Sequence, residues 1–576
     1  MDGGMQNLPD LLSERLAGAL RALGLDAANA AVVAAADRQF GDYQSNAAMA
    51  CAKSERRNPR ELARQLAESI DADDLCERVE VAGPGFLNFR LSREFIGRRL
   101  AALAESDDLG VARARRPRRI VIDFSGPNVA KPMHVGHIRS TIIGDALARI
   151  AHALGHQVVT DNHVGDWGTQ FGKVIHGWRR FLDRRALAAD AVAELVRLYR
   201  KVNALCDEDA GVLDACRREL VALQAGDPDN LAIWREAVEL SLRDFAAIYQ
   251  RLDVHFDETL GESFYNERLA PLCERLEAAG VAEPSEGALC IFFPGHPELA
   301  DKPCLIRKSD GGFLYATTDL ATLEFRGERW TPDEVWYVAG APQRLHFQQI
   351  FAAAERMGLT MECRHVAFGS ILGEDRKLMK TRSGESVQLV DVLDEAESRA
   401  RAMVAERNPE LAAGERDRLA RIIGLGAVKF AELSQHRMTD YVFAWERMLS
   451  LNGNTAPYLQ NAYVRIRSIF RKAGCGPDAR FAVAGAALTH EAERELACAL
   501  IRFGEVVPAV LDDFRPNLLA GYLHELATTY HAFYEGCPVL RAEGESRELR
   551  LALCALTARV LERGLNLLGI DVPERM

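Results

Sequence analysis

Apolar residues recur along the 576-residue chain in two different rhythms. From Ile120 to Phe124 they form a largely β-branched run, broken only by Asp123, the pattern of a buried strand, and Gly126, Pro127 and Pro132 end it. From His137 onward Ile138, Ile142, Ile143, Ala146, Leu147 and Ile150 return at helical spacing, with Arg139, Asp145 and Arg149 on other faces. A strand at Val158–Thr160, a buried strand at Glu334–Gly340 and an amphipathic helix at Gln343–Gly358 continue the alternation. Such a sequence of elements predicts an α/β fold with a doubly wound parallel sheet. Between them, helical and charge-rich sequence from Phe181 to Ala279 does not alternate with strands. It predicts an insertion over about 181–300, with strand character returning at Ala288–Phe293 and Cys304–Ile306.

The flanks follow other patterns. Leu8–Leu23 has helical spacing, and Val79–Ser92 alternates around a Gly-Pro-Gly turn. The arginine-rich run ending at Arg119, with Pro117 inside it, marks a boundary, so 1–112 is expected to be a small α+β domain and 113–418 the sheet domain. From Leu419 helix follows helix, which predicts an all-α bundle over 419–576.

Composition narrows the function classes. No apolar run of about 18 residues occurs, and Met1–Asp10 lacks a basic start and apolar block, so a cytoplasmic protein without a membrane partner is expected. The 12 cysteines include no CxxC pair, from which no structural metal is expected. A net charge of −12 means that any RNA surface must be a local basic patch. Arg113–Arg119 and the series Arg465, Arg467, Arg471 and Lys472 are candidates.

The chemistry concentrates in HVGH, where His134 and His137 stand at a strand-to-helix junction. Free N–H groups and the helix dipole are expected to attract an anion there, and Gly136 permits close approach of a ring or phosphate. The carboxyl end of a strand is where open parallel sheets bind ligands, so this is a nucleotide site in outline. The longer string SGPNVAKPMHVGHIRST, Ser125–Thr141, resembles the arginyl-tRNA synthetases of class I. DNHVGDWGTQFG, Asp161–Gly172, resembles the same family, as do GDYQSNAAMA and GPGFLNF near the amino terminus.

The resemblance implies a Rossmann-like catalytic domain, an amino-terminal appended tRNA-binding domain and a carboxy-terminal anticodon-binding bundle. It implies that ATP, as its magnesium complex, and L-arginine give arginyl-adenylate, that the product is arginyl-tRNA(Arg), and that the enzyme is a monomer. Pro127, Asn128, Lys131, His134, Gly136, His137 and Arg382 match ATP-binding positions. The lysine loop reads RKLMKTRSG in place of a KMSK type, so Lys377, Lys380 or Arg382 could clamp the phosphates, or Lys131 could take over. Asp123, Ser125, Asn128, His163, Tyr315, Asp319 and Gln343 match arginine positions; Asp123 and Asn128 would lie near the α-amino group. Capping of a helix would also explain Asp319, with the substrate role favoured on the resemblance. Phe86 and Asn88 in the amino-terminal turn, and Tyr458, Arg465, Tyr530 and Tyr534 in the bundle, match tRNA-contacting positions, although Phe86 and the two helix-spaced tyrosines could equally be core. Two rivals differ in kind: an inactive tRNA-binding paralogue, which should have lost histidines or carboxylates, and a small-molecule nucleotidylyltransferase, which needs neither flanking domain.

Overall fold

The computed structural model describes residues 6–373, 375–377, 379, 387–476, 479–481, 483 and 488–576. They cluster into two compact units, one of Met1–Arg115, Val404–Phe430 and Leu449–Met576, the other of Arg116–Met403 and Ala431–Met448.

In the first unit, α1 (Leu8–Ala22), β1 (Val33–Ala34), β2 (Tyr43–Ser45), α2 (Ala47–Glu55), α3 (Pro59–Ser69), β3 (Cys76–Ala82), β4 (Phe86–Leu91) and α4 (Arg93–Glu105) build an antiparallel sheet of order β1-β2-β4-β3 with helices on it. Phe86 and Asn88 are strand residues of β4, not turn residues. Asn88 is 5% exposed, because it stands between Gln44 and Glu80 on the neighbouring strands.

The second unit carries β5 (Arg119–Asp123), α5 (Val135–Ala153), β6 (Gln157–Val164), α6 (Gln170–Phe181), α7 (Arg184–Ala189), α8 (Ala191–Glu208), α9 (Ala210–Gln224), α10 (Pro228–Arg251) and β7 (Glu258–Gly261). Then come α11 (Asn266–Ala278), β8 (Glu283–Ser285), β9 (Ala288–Ile291), β10 (Cys304–Arg307), α12 (Tyr315–Trp330), β11 (Glu334–Tyr337), α13 (Arg344–Arg356), β12 (Glu362–His365) and β13 (Ile371–Leu372). Five strands form the parallel sheet β12-β11-β5-β6-β7, whose direction of winding reverses between β5 and β11. Its face buries Val121, Val335 and Tyr337 against Leu320 and Leu323 of α12, Ile350 and Ala353 of α13 and Leu269 of α11.

Three features depart from the sequence expectation. The stretch read as a non-alternating insertion contains β7, a four-residue sheet strand too short to show a period. β9 and β10 pair with β8 in a separate antiparallel sheet and do not join the parallel one. Helix α5 is buried on every side rather than amphipathic, Arg139 and Asp145 included.

Beyond α14 (Leu389–Arg407), α15 (Ala413–Leu433) runs unbroken across residues 418 and 419. After it come β14 (Tyr441–Val442), α16 (Trp445–Met448), α17 (Ala456–Ala473), α18 (Glu491–Ile501), α19 (Phe503–Asp512), α20 (Pro516–Gly536) and α21 (Gly544–Leu567). Within the first unit the GDYQSN segment packs on this helical bundle: Asp42 pairs with the buried Arg494, and Tyr43 OH donates to Glu505 at 2.7 Å. Burial pushes the Glu505 carboxyl up to about 7.

Candidate active site

The loop that follows β5 is held in an unusual backbone path. Ser125 and Ala130 have φ of 74° and 59°, conformations that cost free energy in any residue with a Cβ. Main-chain bonds hold the path to the end of β6: Gly165 N donates to Pro127 O and Val129 N to Gly165 O, both at 3.0 Å. Asn128 is exposed, and its Oδ1 occupies the space that a Cβ on Gly165 would need.

His134 is the N-cap of α5, and the two motif histidines fix each other. Gly136 N–H donates to His134 Nδ1 and His134 N–H donates to His137 Nδ1, both at 3.0 Å, with ring centroids 4.0 Å apart. Since each Nδ1 accepts, each neutral ring carries its proton on Nε2 and presents it as a donor. Burial pushes the His137 imidazole down to about 3, helped by His134; burial and then the Lys131 charge lower His134. Both rings are therefore neutral donors at pH 7. The expected free amides are absent, because Val135 N bonds Val387 O and His137 N bonds His134 O. Gly136 makes room for the His134 ring itself, whose Cε1 would lie 2.8 Å from an added Cβ. Lys131 is exposed beside the motif.

At the carboxyl edge of the sheet, Tyr337, Asp123 and Asp161 stand side by side in register. Arg326 of α12, fully buried, reaches them: its Nη2 lies 2.6 Å from Asp123 Oδ2 and 2.7 Å from Asp161 Oδ2. One guanidinium therefore faces two carboxylates, and the group of Asp123, Asp161 and Arg326 keeps a net negative charge at the end of the strand where the α-amino group was expected. Ser125 is committed, its buried Oγ being 2.8 Å from Tyr249 OH and 2.9 Å from Thr141 Oγ1. His163 is half-buried, its Nδ1 has no partner among the described residues, and its ring lies 5.5 Å from that of Tyr265.

Helix α12 starts where the expected arginine residues lie. Tyr315 is 73% exposed at its first position, and Thr317, not Asp319, performs the capping, through a 3.3 Å bond from Leu314 N. Asp319, one turn along, has its Oδ2 2.5 Å from His346 Nε2. Gln343 is exposed at the start of α13. Two acidic residues that the sequence reading did not single out join this cluster, Asp166 from within the string Asp161–Gly172 and Glu262 from outside any motif. Asp166 is buried and accepts from Ser263 N at 2.8 Å and Ser263 Oγ at 2.6 Å. Burial, then the charges of Asp166 and Asp319, push the Glu262 carboxyl up to about 8. Lys377 is exposed, and Lys380 and Arg382 lie outside the described residues. Among the described residues no group of three or more His, Cys, Asp or Glu could hold a metal ion. No helix among them is long and apolar enough to cross a membrane.

In the bundle, Tyr458 and Arg465 of α17 meet α20. Arg465 stacks over the Tyr534 ring at 5.1 Å, and Tyr458 packs against His524 and His531 at 5.3 and 4.9 Å. Tyr530 does not join this surface. It is 0% exposed on the inner face of α20, so of the two readings open to it the core one holds. Arg467 also leaves the expected basic series, paired with Glu574 at 3.0 Å. His524 and His531 carry no motif; their spacing of seven on one helix was the available signal.

Three family models match the chain. The class I tRNA synthetase (R) catalytic domain covers residues 100–445, the DALR anticodon binding domain 459–576 and the arginyl tRNA synthetase N terminal domain 9–91. A protein of Cellvibrio japonicus named arginine--tRNA ligase is 44% identical over 99% of this chain and 100% of its own length. The one of Thermobifida fusca is 46% identical over 93% of this chain and 94% of its own. Solved arginyl-tRNA synthetases from Plasmodium falciparum and Thermus thermophilus superpose with TM-scores of 0.85 and 0.83, at 26% and 27% identity, each over 99% of this chain and 100% of the other.

Proposed function

This chain belongs to the arginyl-tRNA synthetases, and from that premise we propose how its residues divide the work. It is an ATP-dependent arginine--tRNA ligase: ATP and L-arginine form arginyl-adenylate and pyrophosphate, and the arginyl group then passes to the 3′ end of tRNA(Arg).

In the first step a carboxylate oxygen of arginine attacks the α-phosphorus, the bond to the bridging oxygen of pyrophosphate breaks, and negative charge grows on the phosphates. His134 and His137 meet that charge with Nε2–H groups. One observation carries this reading: backbone N–H groups occupy both Nδ1 atoms, so each ring holds a donor on Nε2 without any change of protonation. Lys131, together with Lys377, Lys380 or Arg382, supplies positive charge, and magnesium travels with the ATP oxygens. The arginine guanidinium, a planar cation, goes to the carboxylates of Asp319 and Glu262 under the Tyr315 ring. Asp123, Asn128, Gln343 and His163 face the α-amino and carboxylate end. The experiment is ATP–pyrophosphate exchange with each amino acid, with and without tRNA: arginine alone should support it, and exchange with lysine at a comparable rate would remove the guanidinium assignment.

For tRNA we propose that the rings of Tyr458 and Tyr534 and the Arg465 plane take the anticodon loop. The amino-terminal domain, 1–112, takes another part of the tRNA through Phe86. A cavity of about 1140 Å³ lined by Met133, Arg197, Arg200, Lys201, Arg243 and Gln388 suits the phosphates of the 3′ strand. The enzyme is a cytoplasmic monomer in this reading, consistent with its twelve free cysteines.

A further inference from the structure

Arg139 lies two residues beyond His137 on α5, 1% exposed. Its Nε is 3.0 Å from Glu432 Oε2, itself fully buried at the end of α15, and its Nη1 donates to Thr439 O at 3.1 Å. Tyr441 OH donates to the same Glu432, and the Arg139 guanidinium lies 5.4 Å from the Tyr441 ring centre. Burial pushes the Glu432 carboxyl up to about 7, and Arg139 acts against that rise.

Tyr441 belongs to β14, which pairs in parallel with β13, Ile371 against Tyr441 and Leu372 against Val442. The pairing is tied at several points. Gly369 N bonds Arg437 O at 2.9 Å, Phe443 N bonds Leu372 O at 2.9 Å, and an added Cβ on Gly369 would lie 2.9 Å from Met438 O. β13 leads straight to the lysine segment: Gly373 N donates to Lys377 O at 2.8 Å, and Met379 N to Ile371 O at 3.4 Å. A continuous set of paired and bonded groups therefore runs from the histidine helix through Arg139, Glu432 and β14 to β13 and the Lys377 backbone just beyond it.

We infer that the buried Arg139–Glu432–Tyr441 cluster positions strand β13, and with it the Lys377 segment bonded to Gly373, against the histidine motif, so that both ends of the ATP phosphate chain are held at once. These are positioning residues, and the inference rests on the proposed reading of Lys377 as a phosphate ligand. Two motifs about 240 residues apart in the sequence have no local means of setting their separation. A buried ion pair with directional hydrogen bonds does so, where an apolar contact of the same volume would permit sliding.

The test is tRNA-saturated pyrophosphate exchange with the full-length double variant Arg139→Met/Glu432→Leu. Replacing both partners of a buried pair by apolar residues of similar size commonly preserves folding. The expected result is a KM for ATP raised about tenfold or more, an unchanged KM for arginine, and a native thermal transition. Arg139→Lys should restore part of the loss, because it retains the charge without the fork. Should the double variant not fold, Glu432→Gln carries the same measurement. A folded variant with the wild-type KM for ATP overturns the inference. Lys377→Ala separates the two readings: if it raises the KM for ATP and the double variant does not, the positioning role alone fails. If the double variant raises it and Lys377→Ala does not, the role of Lys377 fails, and the cluster acts through another residue of that segment.

Discussion

His134 and His137 hold one another in place, the backbone N–H of the first bonding Nδ1 of the second at 3.0 Å across the first turn of α5. Two neutral rings with fixed tautomers follow from this and from the burial that keeps His137 near a pKa of about 3. Replacing His137 by Ala should lower pyrophosphate exchange by about 100-fold or more, the usual scale for one preorganised donor to a developing oxyanion. In the wild type neither ring should titrate catalytically between pH 6 and 8. A bell-shaped profile with a histidine limb in that range, abolished in His137→Ala, would contradict the neutral-donor account.

Lys131 stands close enough to His134 to depress its pKa, whereas Lys377 lies in the segment after β13, its carbonyl bonded by Gly373 N. Lys131→Ala should impair adenylate formation more than Lys377→Ala if the altered lysine loop is compensated from upstream. Single-turnover kinetics with the reverse ranking would make the loop the main clamp.

Glu262 supplies a pH dependence with a definite sign. Its carboxyl is raised to about 8, so in the free enzyme at pH 7 it is largely protonated. A guanidinium favours the ionised form, so arginine binding should release a proton, and the KM for arginine should fall as pH rises from 7 to 9. Glu262→Gln should flatten that dependence and weaken arginine binding, read by exchange at several pH values with ATP held saturating. The same dependence persisting in Glu262→Gln would assign it elsewhere.

The bundle divides its aromatic residues between surface and core. Arg465→Ala, which removes the partner of Tyr534, should raise the KM for tRNA while leaving exchange at saturating tRNA nearly intact. Tyr530→Ala should instead lower the thermal transition, with a loss of about 3–5 kcal/mol typical of truncating a buried aromatic. If Tyr530→Phe, which keeps the ring, raised the KM for tRNA as Arg465→Ala does, the burial of Tyr530 would not describe its role.

What the sequence by itself determined is whatever depends on neighbours along the chain. The β-branched run at Ile120–Phe124, the turn residues after it and the helix that follows are local, and the histidine motif therefore lands on a strand-to-helix junction in sequence and structure alike. The long strings around His134 and Asp161 likewise point to the family, because each is a contiguous segment. Only the tertiary structure decided which charges meet. Arg326 bridges Asp123 and Asp161 from 203 and 165 positions away, and Arg139 pairs with Glu432 from another region of the chain. Neither pairing leaves a periodic trace, since a buried ion pair needs one residue on each element. The same holds for Tyr530 and Tyr534: four residues apart, they look alike in the sequence, and only the packing of α20 buries one and leaves the other 39% exposed. Helical spacing defines a face; what covers that face is set by the elements that fold onto it.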